Sequence, residues 1–211
     1  MMIEFKIKNL FLIAILISTF ACGDKAKVPV KTLEKPYYDV KGFFAGETKR
    51  LTEGGMKIKK TVTVNGQSET KMIEKPNFEE EFKMFVASDI NRPAWSDKYH
   101  IKRTEQNNQD YTTEYWAKDK NLKTQSMKIV QKDGDVYFTM EIHNSDKSVV
   151  TESDSHLFYD KANGFSITNS QQLVGSTDSV KIDVLFFKNW HPLSIGLNYI
   201  EINNFSRVQT L

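Results

Sequence analysis

The sequence is short of cysteine and of net charge. Its 211 residues include one cysteine, so no disulfide bond within the chain can stabilise the fold. Lysine and arginine number 29 against 27 aspartate and glutamate, which gives a formal charge of +2, and the two signs are interspersed. A nearly neutral, mixed surface does not predict a nucleic-acid partner. Aromatic residues, which make up 12% of the chain, must instead supply much of the burial.

The apolar run near the N-terminus is short as well. It begins at Leu10 and is too short to cross a bilayer of about 30 Å as a helix that rises ~1.5 Å per residue. Lys6 and Lys8 precede the run and the small residue Ala21 ends it, an order typical of an export signal. The sequence therefore predicts a signal peptide over residues 1–21.

Cys22 directly follows this signal. Its position resembles the lipobox of bacterial lipoproteins, although Thr19 stands where such motifs usually carry leucine. An incidental thiol is the alternative, but free cysteines are scarce in exported proteins because an exposed thiol oxidises. We therefore predict lipidation of Cys22, whose acyl chains would bind the protein to the membrane. Residues 22–35 would form a tether, and the absence of an acidic cluster in them favours the periplasmic face of the outer membrane.

Residues 36–211 read as a single α+β domain that begins with two helices. The first helix is expected to start at Pro36 and to stop at Gly54-Gly55. The second is expected to begin after Asn77, as N-cap, with Glu80 completing a capping box, and to continue to about Asn91. The apolar stripe of this second helix consists of Phe78, Phe82, Phe85, Val86 and Ile90.

The remaining residues read as strands. Asn65-Gly66 lies between two alternating runs, which predicts a two-residue hairpin that pairs Val64 with Gln67 and Ile58 with Ile73. After Trp95, seven runs separated by turn residues indicate an antiparallel meander. The predicted fold is thus two helices packed on a curved antiparallel sheet, a half-barrel or an open barrel.

No motif in the chain indicates catalysis. The four histidines show no zinc-binding spacing, and nucleophile-elbow, P-loop and dinucleotide-binding patterns are missing from the sequence, so neither an enzyme nor a cofactor is predicted. Paired carboxylates for glycoside hydrolysis stay open, because they need not be adjacent in sequence. Glu152, Asp154 and His156 share one strand face, and a loop over residues 144–147 would bring Asp135 opposite His156. A solvent-exposed polar face is the favoured interpretation of this alternation.

The first hairpin of the meander suggests a ligand-binding surface. A loop over residues 106–109 would place Tyr99 and Trp116 on one face, together with Ile101. With Trp95, these two aromatic residues are the candidate lining of a binding site. The alternative, that tyrosines are frequent in strands and tolerate partial exposure, is favoured.

Three stretches of the chain, together with the cysteine, are similar to uncharacterised lipoproteins of the Bacteroidota. They are Tyr37 to Phe43, Lys60 to Gly66 and Asp89 to Trp95. The predicted outline also looks like that of the half-barrel lipoprotein carriers of the periplasm.

The leading hypothesis is a non-enzymatic, membrane-anchored lipoprotein that binds an apolar small molecule or an envelope protein within the sheet. The alternatives are an assembly subunit of an outer-membrane complex, acting through an edge strand or the segment after Trp190, and an envelope hydrolase.

Overall fold

A computed structural model describes residues 36–107, 110–134, 136–149, 151–173 and 176–188. The predicted signal peptide, the tether with Cys22, and the segment after Trp190 lie outside these ranges. Asp135, assigned to the carboxylate and histidine cluster from sequence, lies outside them too.

The first helix, α1, spans Val40–Glu53. Asp39 is its N-cap, and the side chain of Asp39 accepts a hydrogen bond from the backbone N–H of Gly42 at 2.9 Å. The helix therefore begins after Pro36, not at it as predicted. It ends at Gly54, as expected, and Gly55 follows with φ of 61°, a conformation that suits glycine.

The second helix is broken in two. Segment α2 spans Phe78–Glu81 and segment α3 spans Lys83–Ala87, with Phe82 between them at φ −91° and ψ 2°. Asn77 caps α2 as predicted, although the side chain of Glu80 contacts Lys83 instead of completing the capping box. The prediction of one continuous helix is wrong at Phe82, although Phe78, Phe82 and Phe85 are all buried, as the predicted apolar stripe requires.

A short 3₁₀ helix over Pro93–Trp95 leads into the meander. None of the helices in the described ranges is both long and apolar enough to cross a membrane.

Nine strands form one antiparallel sheet with the order β2-β1-β9-β8-β7-β6-β5-β4-β3. Their bounds are Lys57–Val64, Gln67–Ile73, Tyr99–Glu105, Tyr111–Ala117, Thr124–Lys132, Tyr137–Lys147, Thr151–Asp160, Gly164–Leu173 and Ser176–Phe187, for β1 to β9 in turn. The sheet is curved and open, with β2 and β3 as its edges. The predicted fold class, few helices on a curved antiparallel sheet, is confirmed.

The predicted register of the β1–β2 hairpin is also confirmed. Val64 pairs with Gln67 and Ile58 with Ile73, and the loop residues Asn65 and Gly66 have φ values of 48° and 86°. Both central residues of a type I′ turn need positive φ, which is why Asn-Gly specifies this turn. The hairpin joins the meander by pairing β1 with β9, the last strand.

Two registers of the meander differ from those predicted. In the β3–β4 hairpin Glu105 pairs with Tyr111, so five residues form the loop and His100, instead of Tyr99, lies opposite Trp116. In the β6–β7 hairpin β6 continues to Lys147, and His143 lies directly opposite His156. The first shift follows from loop length, because the side-chain period of a strand is two and one additional loop residue reverses the faces. The second follows from the position of the turn, which comes after Lys147 and leaves the faces unchanged.

The helices cover one face of the sheet, which we call the inner face. Phe43 of α1 stacks on Phe138 with ring centroids 4.4 Å apart, and Phe44 contacts Phe82 at 4.8 Å and Tyr159 at 5.1 Å. Glu47 of α1 is buried among them; it accepts hydrogen bonds from the Tyr159 hydroxyl and, at 2.9 and 2.7 Å, from Arg50. The packed aromatic rings and the hydrogen bond from Tyr159 to Glu47 hold α1 on the sheet.

Candidate binding site

The inner face of β6, β7 and β8 changes character along the strands. We define a row as three residues directly opposite one another on these strands. Two successive rows are apolar, Met140/Tyr159/Phe165 and Ile142/Leu157/Ile167. The next two are polar, Asn144/Ser155/Asn169 and Asp146/Ser153/Gln171. All three strands therefore change from apolar to polar at the same level.

The polar rows line a cavity of about 440 Å³ that the helices leave uncovered. Met84 and Ala87 bound it on the helix side, and Lys123, Ser148 and Thr151 bound it at the end of the strands. Its volume lies within the range of roughly 300 to 1,000 Å³ that is usual for ligand pockets. The lining offers amide and hydroxyl groups, with a single lysine and a single aspartate among its described residues.

Asn169 organises the hydroxyl groups of this cavity. Its Oδ1 accepts hydrogen bonds from the hydroxyls of Ser153, at 2.9 Å, and Ser155, at 2.8 Å. An amide oxygen has two lone pairs, so two donors saturate it. The amide of Asn169 is thereby left to donate to a bound molecule, whereas the two serine oxygens, whose protons are engaged, are left to accept.

Asn144 joins the cavity to the helices. Its Nδ2 donates to the hydroxyl of Ser88 at 2.8 Å, and that hydroxyl donates in turn to the backbone carbonyl of Met84 at 2.9 Å. The Oδ1 of Asn144 is buried and accepts no hydrogen bond within the described part of the chain. An unsatisfied buried acceptor costs ~1–3 kcal/mol, so a donor supplied at this position would be stabilising.

The three aromatic residues selected from sequence do not share this cavity. Tyr99 lies on the inner face, 4% exposed, with its hydroxyl donating to the carbonyl of Thr124 at 2.9 Å. Burial raises the pKa of Tyr99 above its usual value. Trp95 packs against Tyr99 and lies under the guanidinium of Arg92. Trp116 is exposed on the opposite face, so the predicted common lining with Tyr99 is wrong, and the cause is the five-residue loop.

A smaller cavity of about 140 Å³ lies on the other face of the sheet, beside Gly164 and Phe158. Its volume is below the size usual for ligand sites. The cavity beside the polar rows is therefore the candidate binding site.

Sequence reasoning missed this site although a signal for it exists. The alternation of β6 runs through Phe138, Met140 and Ile142 and then continues with Asn144 and Asp146 at the same period. When polar residues continue the alternation of buried apolar residues, the sequence alone does not show that they face inward. The register of the strands must also be known. Comparison of the chain with protein-family models, with curated proteins and with solved structures finds no match.

Proposed function

We propose that this chain is a lipid-anchored binding protein of the cell envelope that holds a small, uncharged polar ligand in the cavity beside the polar rows. The observation that carries the proposal is the cavity of about 440 Å³ lined by amides and hydroxyls on the inner face of β6 to β8. The membrane would be reached through acyl chains on Cys22, and the role is binding and not catalysis.

The chemistry of the lining supports a polar ligand. Aromatic rings of α1 and of the α2 and α3 segments pack against the apolar rows. The space that remains open therefore faces serines, threonine, asparagines and glutamine. Donors and acceptors are interleaved at short spacing, which matches the hydroxyl groups of a neutral sugar or polyol because each hydroxyl both donates and accepts. This proposal replaces the apolar ligand expected from sequence with a polar one. The cavity has one carboxylate among its described residues, Asp146, whereas glycoside hydrolysis uses a pair.

A matched pair of glutamines tests the binding site. Gln171 lines the cavity, whereas its neighbour Gln172 is exposed and is not among the lining residues. Calorimetric titration of the purified full chain with N-acetylglucosamine and its disaccharide should give binding that Gln171→Leu weakens about two- to tenfold, since a lost hydrogen bond costs ~0.5–1.5 kcal/mol. Gln172→Leu should bind as the unmodified chain does.

The same titration with palmitate distinguishes the two ligand classes. Binding of palmitate but of neither saccharide, or saccharide binding that Gln171→Leu leaves unchanged, would refute a polar ligand in this cavity. The anchor is tested separately by intact mass spectrometry of the membrane-extracted protein and its Cys22→Ala variant. An acylated N-terminal Cys22 is expected, and an unmodified thiol would refute the anchor alone.

A second candidate is the assembly role through an edge strand. Both edges of the sheet, β2 and β3, present backbone groups without a strand partner among the described residues. Such edges accept an added strand from another protein. Co-purification of a stoichiometric envelope protein after detergent extraction would support this role, and a monodisperse monomer would count against it.

A further inference from the structure

Two histidines and one aspartate form a compact cluster on the outer face, the face of the sheet opposite the helices. The Nε2 of His143 lies 2.7 Å from Oδ2 of Asp154, and the Nε2 of His156 lies 2.9 Å from Oδ1 of the same carboxylate. The imidazole rings stack with centroids 4.4 Å apart and an angle of 4° between their planes. One ligand atom from each residue lies within 4.8 Å of the other two.

The strands fix this arrangement. His143 of β6 and His156 of β7 are directly opposite each other, and Asp154 precedes His156 by two positions, so all three side chains leave the same face. Because β6 and β7 are interior strands of the sheet, their backbones are held by hydrogen bonds on both sides. The cluster is therefore presented on a rigid platform, which is what precise ligand geometry requires.

The set of donor atoms has a definite chemical preference. Two imidazole nitrogens and a carboxylate oxygen suit Zn²⁺ and the neighbouring divalent transition metals, whereas Ca²⁺ and Mg²⁺ prefer sites made of oxygen. Zinc bonds of ~2.0–2.2 Å in a tetrahedral arrangement place ligand atoms about 3.3–3.6 Å apart, so the ion would replace the direct contacts of the two histidine nitrogens with the Asp154 carboxylate. We propose that His143, Asp154 and His156 form a Zn²⁺ site with three protein ligands.

The fourth position of this site would open to solvent. His143 and Asp154 are partly exposed and His156 more so. The next residues across the sheet are small and hydroxylated, Ser126 opposite His143 and Thr168 opposite His156. An ion can therefore approach without displacing a bulky side chain, and a water molecule can complete its coordination.

The sequence places Asp154 and His156 on one strand face but does not bring His143 to them, because the two histidines follow no metal-binding spacing. They meet only through the β6–β7 register, where His143 takes the place expected for Asp135. The inference does not depend on the inner-face cavity, which lies on the other side of the sheet.

Zinc titration of the full chain, stripped of metal with a chelator, tests the site. Isothermal calorimetry should show one Zn²⁺ bound per chain. Asp154→Asn, His143→Gln and His156→Gln should each weaken binding at least about tenfold, the lower end of losses seen when a metal site is disturbed. In ¹H–¹⁵N spectra of the imidazoles, the signals of His143 and His156 should move on zinc addition.

His100→Gln is the matched control, because His100 is an exposed histidine on β3, outside the cluster. It should leave zinc affinity unchanged. Thermal unfolding in the absence of metal checks that each variant is folded. His156 is the most exposed ligand, so its substitution should disturb the fold least. The proposal is overturned if micromolar Zn²⁺ gives no one-site binding, or if the binding persists in all three ligand variants.

Discussion

The inner face of β6, β7 and β8 contains two halves that differ in chemistry and in covering. In the aromatic half, the rows Met140/Tyr159/Phe165 and Ile142/Leu157/Ile167 lie in the core that the helices complete. In the polar half, the two rows that follow carry serine, asparagine, aspartate and glutamine around an open cavity. The same three strands therefore support a packed core and an open polar cavity within a few residues of each other.

This contrast separates stability from recognition. Burial of aromatic rings stabilises a fold roughly in proportion to area, with an added contribution from ring contacts. A polar row that faces a cavity gains little from folding, because its groups are hydrogen-bonded to water in the unfolded chain as well. We therefore expect substitutions in the aromatic half to alter the free energy of unfolding, and substitutions in the polar half to alter ligand affinity.

The largest effect is expected at Phe44, a residue of α1 that packs on the aromatic half. Its ring is 1% exposed and contacts Phe82, Phe85 and Tyr159. Phe44→Ala removes these contacts and leaves a cavity, so the free energy of unfolding should fall by about 3 to 5 kcal/mol. Urea denaturation followed by circular dichroism measures the loss.

Ser153→Ala is the control from the polar half. It removes one hydroxyl that donates to Asn169 at the edge of the cavity. The expected loss is at most about 1 kcal/mol, the net value of a partly solvated hydrogen bond. Comparable losses in Phe44→Ala and Ser153→Ala would contradict the division into two halves.

The same contrast explains how far the sequence could predict this molecule. Local signals sufficed where one segment determines its own structure: Asn65-Gly66 specified the β1–β2 register, and Asn77 specified the start of α2. Where structure depends on loop length, the prediction was wrong. Trp116 was assigned to the face of Tyr99, although one additional loop residue places it on the other.

Local sequence signals could not predict the candidate site. Asn144, Ser155 and Asn169 come from three strands and become neighbours only through two registers. One of those registers, β6 with β7, was misplaced because β6 continues to Lys147 where a turn was expected. The alternation along a strand predicts that a residue faces inward, but it does not identify the residues of other strands that lie beside it.

Gly164, at the start of β8, tests how closely the backbone is packed next to the aromatic half. Its φ is +141°, and a Cβ at this position would lie 2.0 Å from the carbonyl oxygen of Val184. Gly164→Ala should therefore lower the free energy of unfolding by about 2 to 4 kcal/mol, from backbone strain and from the clash with β9. Thermal and urea denaturation of the variant measure the effect.

Gly46→Ala is the matched control for this substitution. Gly46 is exposed within α1, and a Cβ there would contact nothing within 4 Å. Alanine at such a position should stabilise the protein by about 0.5 to 1 kcal/mol, since it reduces the entropy of the unfolded chain. If both glycines tolerate alanine equally, the β8–β9 backbone is not packed as closely as described.

The smallest effect is expected in alkaline solution, at Tyr159 of the aromatic half. Burial is the main cause that raises the pKa of Tyr159 above its ordinary value of 10.0, and the neighbouring Glu47 carboxylate raises this pKa further. The folded chain keeps this proton while the unfolded chain releases it near pH 10, so the stabilisation is complete below pH 10 and is lost as the pH rises further. At pH 10 the loss should reach about 0.4 kcal/mol. In urea denaturation at pH 8, 9 and 10, the free energy of unfolding should therefore decline more steeply for the unmodified chain than for Tyr159→Phe. Parallel declines would mean that Tyr159 ionises in the folded protein as it does in the unfolded one.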